Sequence, residues 1–151
     1  GRAGRAAPVG APTHGPFGLA GRMDAPEGSS LKVSRVCGST VQVDVKLDEG
    51  GRIAEIAVEP KACALGQAAT SILAREGIGK SRDEIAAGRE MLRTMLKGEG
   101  QPPAQGDAFW ELRHLAPVKD YPPRHASTML AFDAALDAVE QALAARAATA
   151  G

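Results

Sequence analysis

The chain has 151 residues, 44% of them hydrophobic but only 3% aromatic, and its 18 basic and 18 acidic side chains cancel to zero formal charge. That length and content suit one domain with a modest aliphatic core. The charge balance excludes the electrostatic footprint of a nucleic-acid or anionic-membrane binder, and no apolar run is long enough to span a bilayer.

Residues 1–28 are rich in Gly, Pro, Ala and Arg, and Pro8, Pro12, Pro16 and Pro26 interrupt any helix. They predict a flexible arm from which Phe17 and Leu19 could dock on the domain. The arm has no apolar stretch of the kind a secretory signal needs, and two cysteines are too few for a disulfide framework. Both features place the protein in the cytoplasm with reduced thiols.

The domain is expected over 29–146. Ser29 to Val36 reads as a strand with Leu31 and Val33 inward. Thr40 to Leu47 alternates Val41, Val43, Val45 and Leu47 with Gln42, Asp44 and Lys46, the period-two pattern of a half-buried strand. Asp48-Glu49-Gly50-Gly51 is a hairpin turn. Arg52 to Glu59 follows, with Ala54, Ile56 and Val58 on one face. The three strands predict an antiparallel meander with one apolar face.

Helices take over after Cys63. Leu65, Ala69, Ile72 and Leu73 form a stripe that Gly77 ends, and Ser81 with Glu84 forms a capping box for a helix to about Lys97. Ile85, Leu92 and Met95 lie on the inner side of that helix. Gly98 to Gly106 is a polar loop, and Phe109 to Leu115 predicts a short helix. Pro122 or Pro123 opens a last helix with Met129, Phe132, Leu136, Val139 and Leu143 at helical spacing. A frayed tail is expected at 147–151. Strands first and helices after define an α+β fold, a three-stranded antiparallel sheet packed against C-terminal helices in two layers.

Two cysteines, 26 positions apart, flank the central strands. Cys37 precedes Gly38, where the backbone can turn sharply. Cys63 opens a helix, whose unpaired N–H groups favour the reactive thiolate. Soft thiolates suit zinc and iron–sulfur clusters, yet two do not complete a tetrahedral site. Burial as two apolar side chains is the alternative for such a pair.

From Cys37 to Leu143 the order of motifs resembles the U-type scaffold proteins of iron–sulfur assembly: IscU, the N-terminal domain of NifU, and SufU. Val36-Cys37-Gly38-Ser39 resembles the family's first Cys-Gly-Asp. Ala62-Cys63-Ala64, followed by Ala68, Ala69 and Ser71, resembles its second cysteine and small-residue helix. Gly79-Lys80-Ser81 matches the family's Gly-Lys-Ser. The segment from Met95 to Tyr121-Pro122-Pro123-Arg124 resembles the SufU branch, with its insertion and its arginine before the third cysteine. The resemblance implies a SufE/NifU-like two-layer fold, an iron–sulfur cluster or zinc as cofactor, and a cysteine desulfurase as partner.

The chain departs from that family pattern at two site positions. Ser39 stands where the family has aspartate and Ser127 where it has its third cysteine, so two of four expected metal-site positions carry hydroxyls. The resemblance gives the third cysteine as the acceptor of sulfur from the desulfurase, and Ser127 cannot form a persulfide. His125 is the nearest imidazole, although helical positions 125 and 127 point ~200° apart. Arg124, by resemblance, sits beside the thiols and either lowers their pKa or pairs with an anion. The metal-site candidates are therefore Cys37, Cys63, Ser39, Ser127 and His125.

Three functions follow. The first is a divergent assembly scaffold that binds iron, zinc or a cluster, or carries sulfur, through Cys37 and Cys63. Two subunits would then supply four thiolates, which predicts a homodimer on cluster binding. The second is a degenerate scaffold fold that serves as a non-metal partner-binding module. The third is a thiol–disulfide sensor, which needs the cysteine Cα atoms within ~7 Å. No nucleophile triad or phosphate-binding glycine loop is recognisable, so the chain reads as a non-enzyme.

Overall fold

Alternating side chains build a sheet whose one end carries the thiols. The computed structural model describes residues 18–150. Its strands are β1 (Gly18–Ala20), β2 (Gly28–Val33), β3 (Thr40–Leu47) and β4 (Ile53–Lys61), in the order β1-β4-β3-β2. The meander β2-β3-β4 is antiparallel, as the alternation predicts, and β1 adds a short parallel strand beside β4. Helices α1 (Ala64–Glu76), α2 (Arg82–Leu96) and α3 (His125–Ala150) follow, with a 3-10 segment at Trp110–Asp120 and a 3-10 turn at Pro122–Arg124 before α3. The fold is α+β.

The inner sheet face is Val41, Val43, Val45 and Leu47 of β3 with Ile53, Ile56 and Val58 of β4, all buried. A register shift at Lys46 and Leu47 pairs Leu47 with Ile53, so Ile53 is fully buried and Ala54 only half-buried. Around the hairpin, Asp48 Oδ1 accepts the N–H groups of Gly50 (2.8 Å) and Arg52 (3.0 Å). Gly51 takes a left-handed φ of 82° that glycine adopts without strain.

Helix α3 is the central element, in contact with β2, β3, α1 and α2. Its alanines 131, 134, 135, 138 and 142 are buried along with Phe132 and Val139, so the helix is covered on several sides rather than along one stripe. Phe132 meets Phe109 edge-to-face at 5.1 Å. The capping box forms as expected: Glu84 N–H donates to Ser81 Oγ at 3.2 Å and Ser81 N–H to Glu84 Oε1 at 2.9 Å.

Besides Ala54 and the fully buried Asp44, the structure departs from sequence expectation in three segments. Leu31 and Val33 face outward, not inward; Gly28 and Ser30 take the inner face of β2. The cause is the close passage of α3, because a Cβ at Gly28 would lie 1.8 Å from the Ala138 carbonyl oxygen, and only small residues fit there. Ser30 Oγ donates to Asp137 Oδ2 at 2.7 Å.

The second departure concerns the arm expected over 1–28. Residues 1–17 lie outside the described residues, but 18–28 are held against the sheet. Gly21 N–H donates to Val58 O (2.7 Å), Glu27 N–H donates to Val45 O (2.9 Å), and Met23 is buried. Beneath this strap the fully buried Asp44 accepts from Arg22 Nε (2.7 Å), Met23 N (3.1 Å) and Ser29 Oγ (2.6 Å).

The third concerns the tail expected to fray from 147, which stays helical to Ala150. Arg146 pins it, donating to the Glu27 carboxylate (2.8 and 2.9 Å) and to the carbonyls of Leu47 (2.8 Å) and Asp48 (2.7 Å).

Candidate functional site

Cys37 sits at the tip of the connection between β2 and β3. Ser34 N–H donates to Ser39 O and Gly38 N–H to Ser34 O, each at 2.8 Å, which closes the turn. Gly38 takes a φ of 76°, a left-handed conformation costing a side-chain-bearing residue ~1–2 kcal/mol. The turn presents the Cys37 sulfur to solvent with Ser39 Oγ 3.1 Å away and Ser34 Oγ 3.6 Å away. The Ser39 hydroxyl, then the Ser34 hydroxyl and the Ser39 N–H, stabilise the thiolate and bring the Cys37 pKa down to about 7.

Cys63 caps α1 from the far end of β4, with an extended backbone. Its pKa is lowered by the N–H of Gly66 at the open helix end, against an opposing push from burial. Ser127 Oγ, 3.7 Å from the Cys63 sulfur, and the positive charge of Arg124 act in the same direction. The approach of α1 to the start of α3 depends on Gly66, where a Cβ would meet Ala62 Cβ at 2.8 Å and Ser127 O at 3.2 Å.

Ser127 is fully buried; its hydroxyl donates to the Arg124 carbonyl at 3.2 Å and lies beside the Cys63 sulfur. The fold thus brings together Cys37, Ser39, Cys63, Ser127 and Arg124. Between them lies an open cavity of about 350 Å³ lined by Cys37, Gly38, Ser39, Lys61, Ala62, Cys63 and Arg124. Its charged side chains, Lys61 and Arg124, are both cationic. His125 is directed elsewhere: its Nε2–H donates to the carbonyls of Val118 (2.9 Å) and Lys119 (3.3 Å).

Sequence reasoning missed three contributors. Lys61 ends a strand and looks like an ordinary surface cation. Ser34 acts only through the turn that folds it back on Cys37. Gly66 reads as a helix-weakening residue until its contact with Ser127 is seen. Only the spacing of Ser34 three residues before Cys37 offered any signal.

The donors at the cavity are two sulfurs and two hydroxyls. Among the described residues, no group of three or more His, Cys, Asp or Glu side chains is placed to hold a metal ion. Two stabilised thiolates beside cations can bind a soft cation or a sulfide-bridged cluster, but one chain leaves half of a tetrahedral cluster's ligand set open.

Fold and site together define a small α+β domain that presents two thiols at one end of its sheet. The chain belongs to the NifU-like N-terminal domain family, whose model, described as NifU-like N terminal domain, matches residues 15–128. It is similar to the iron–sulfur cluster assembly scaffold protein IscU of Streptococcus pyogenes serotype M1, 31% identical over 121 residues that span 80% of this chain and 74% of that protein. The crystal structure of a nitrogen-fixing NifU-like protein (N-terminal) from Brucella abortus superposes with a TM-score of 0.77 at 41% identity, covering 86% of this chain and 88% of that one. The crystal structure of an iron–sulfur cluster assembly scaffold for the SUF system from Fervidobacterium islandicum AW-1 gives a TM-score of 0.71 at 22% identity, covering 80% and 85% of the two chains. At that identity the last likeness concerns the fold alone.

Proposed function

We propose that the protein is an iron–sulfur cluster assembly scaffold of reduced ligand count, holding its cargo through Cys37 and Cys63. The observation that carries this reading is the convergence of two thiols, 26 positions apart in sequence, on one open cavity with hydroxyls aimed at both sulfurs. The hydroxyls of Ser34, Ser39 and Ser127 lie against the sulfurs and favour the deprotonated form. Lys61 and Arg124 offset the negative charge of a thiolate-bound cargo. Ser39 and Ser127 serve as hydrogen-bond partners of the sulfurs rather than metal ligands, because a neutral hydroxyl is a poor ligand beside a thiolate. Zinc, bound by the same two sulfurs, is the second cargo that this donor set accepts. The partner is a cysteine desulfurase, the compartment is the reducing cytoplasm, and the protein does no catalysis of its own.

The test is ligand exchange under anaerobic conditions from a glutathione-ligated [2Fe–2S] complex. Wild type is expected to acquire the visible sulfur-to-iron charge-transfer absorption, and Cys37→Ala and Cys63→Ala each to lose it. Retention of the absorption in both variants would contradict the reading.

The hydroxyls at 39 and 127 favour one alternative, a scaffold fold that only docks a partner. In that case wild type acquires no cysteine-dependent absorption, and the Cys37→Ala, Cys63→Ala double variant binds a cysteine desulfurase as wild type does.

A further inference from the structure

Helix α1 ends in a carboxyl pair that the thiol cavity does not use. Glu76 is its last residue, and the Oε2 atom of that side chain is buried without a hydrogen-bond partner. Glu111, on the 3-10 segment Trp110–Asp120, lies within hydrogen-bond reach of Glu76. The nearby cations are committed elsewhere. Arg75 donates to both oxygens of Glu111, at 3.0 and 3.1 Å, and to Ser71 Oγ at 2.6 Å. Lys80, on the connection from α1 to α2, stands over the Phe109 ring with its Nζ 5.5 Å from the centroid. His114 faces Glu111 from the 3-10 segment itself and meets Trp110 edge-to-face at 5.9 Å. Toward the sheet and α3, α1 turns the buried Ala69, Ile72 and Leu73, none of them charged.

Two carboxylates side by side repel, and a buried carboxylate oxygen with no donor bears its full desolvation cost. One proton removes both penalties. Carried on Glu76, it turns an orphaned acceptor into an O–H donor to Glu111, which keeps its charge against Arg75. The place on the helix favours that assignment, because Glu76 stands at the negative end of the α1 dipole, where a charged carboxylate is disfavoured. We propose that Glu76 and Glu111 share one proton, and that this proton is a pH-operated clamp between the end of α1 and the 3-10 segment. Burial, then the hydrogen bond with Glu111, raise the Glu76 pKa, while the Arg75 bond, then the Glu76 bond, hold the Glu111 pKa down. The clamp is closed between the two values. It loosens as pH rises through the Glu76 value, when the proton passes to water and leaves two anions in contact.

The segment so held leads to the thiol cavity. At its far end His125, which starts α3, donates to the carbonyls of Val118 and Lys119, and Tyr121 opens the turn that ends at Arg124. The segment thus joins the end of the helix that Cys63 caps to the start of the helix that carries Ser127. A cavity of about 200 Å³ between the end of α2 and the residues Ala116 and Lys119 leaves it room to shift. Its buried Leu112, Leu115 and Val118 keep it on the core, so the loosening is local.

The experiment follows Trp110, the single tryptophan, by fluorescence of the full chain titrated from about pH 4 to about pH 9. Wild type is compared with Glu76→Gln, Glu111→Gln and His114→Gln, each checked for fold by circular dichroism. Wild type is expected to show a transition with its midpoint above the ordinary glutamate value of ~4.3. Glu76→Gln, whose amide N–H donates to Glu111 at every pH, is expected to lose that transition, and His114→Gln to keep it. Glu111→Gln is expected to move the midpoint down by ~0.5 or more, toward the ordinary value. Backbone amide exchange over 110–120, corrected for its intrinsic rate, is expected to be ~3-fold or more faster above the midpoint than below it in wild type, and equal on both sides in Glu76→Gln. No transition in wild type, one that Glu76→Gln keeps, one that His114→Gln loses, or a midpoint that Glu111→Gln leaves in place overturns the inference, as does exchange that ignores the midpoint. Should Glu76→Gln fail to fold, the Glu111→Gln midpoint decides. None of these readouts uses the thiols, so the scaffold reading stands or falls separately.

Discussion

Cys37 is the most exposed chemistry in the protein, and its environment is local. Three of the groups that lower its pKa, the Ser39 hydroxyl, the Ser34 hydroxyl and the Ser39 N–H, belong to one six-residue turn. Site-resolved alkylation of metal-free protein is expected to rise with a midpoint near pH 7, because the thiolate is the nucleophile and the Cys37 pKa lies at about 7. Ser39→Ala is expected to move the midpoint upward by removing the largest contribution. A wild-type midpoint near that of a free thiol, ~8.5, would contradict the geometry of the turn. At this scale the sequence was partly legible. The cysteines, Ser39, Ser127 and Arg124 stand in recognisable motifs, whereas Ser34 gains its role only from the turn that folds it onto Cys37, Lys61 from the cavity it lines, and Gly66 from its contact with the distant Ser127.

Elements explain why. Alternation located β3 and β4 well because both have one face on the core. Edge strand β2 misled the reading because its pattern is inverted by the passage of α3. The tight contact of Gly28 with Ala138 puts small residues inside and leaves Leu31 and Val33 outside. A similar close approach sets the site. Gly66→Ala gains ~1 kcal/mol of helix propensity, but a Cβ there presses on Ala62 and on Ser127 O, and overpacking of that kind costs ~1–3 kcal/mol. The variant is expected to have a lower melting temperature than wild type. It is also expected to bind cargo more weakly, since α1 and Cys63 must shift away from Ser127. A variant that melts higher and binds as wild type does would show that the contact is loose.

At the scale of the molecule, the strap at residues 21–27 ties the two sides of the sheet together through one buried carboxylate. Burial pushes the Asp44 pKa up, but the bonds from Arg22, Ser29 and the Met23 N–H outweigh it and hold the carboxyl below its ordinary range. A depressed native pKa gives stability that is fully present above the unfolded value of ~3.9 and is lost as pH falls through the native value. Asp44→Asn is therefore expected to lower stability at pH 7 by ~1–3 kcal/mol, with the gap from wild type closing below about pH 4 in calorimetry. A gap independent of pH would mean that the charge is not what holds the strap. This tie was invisible in the sequence, where Asp44 read as the polar, solvent-side member of an alternating strand. The strap that covers it lies in a segment whose glycines and prolines suggested no structure.

The two-thiol cavity is the central claim. It is tested most directly by measuring iron and acid-labile sulfide per chain after anaerobic exchange with the glutathione-ligated cluster, in wild type beside the Cys37→Ala, Cys63→Ala double variant. The account predicts iron and sulfide in equal amounts, near one of each per chain in wild type and none in the double variant, as one [2Fe–2S] cluster shared between two chains requires. Equal loading of the two proteins, or none in either, would contradict it.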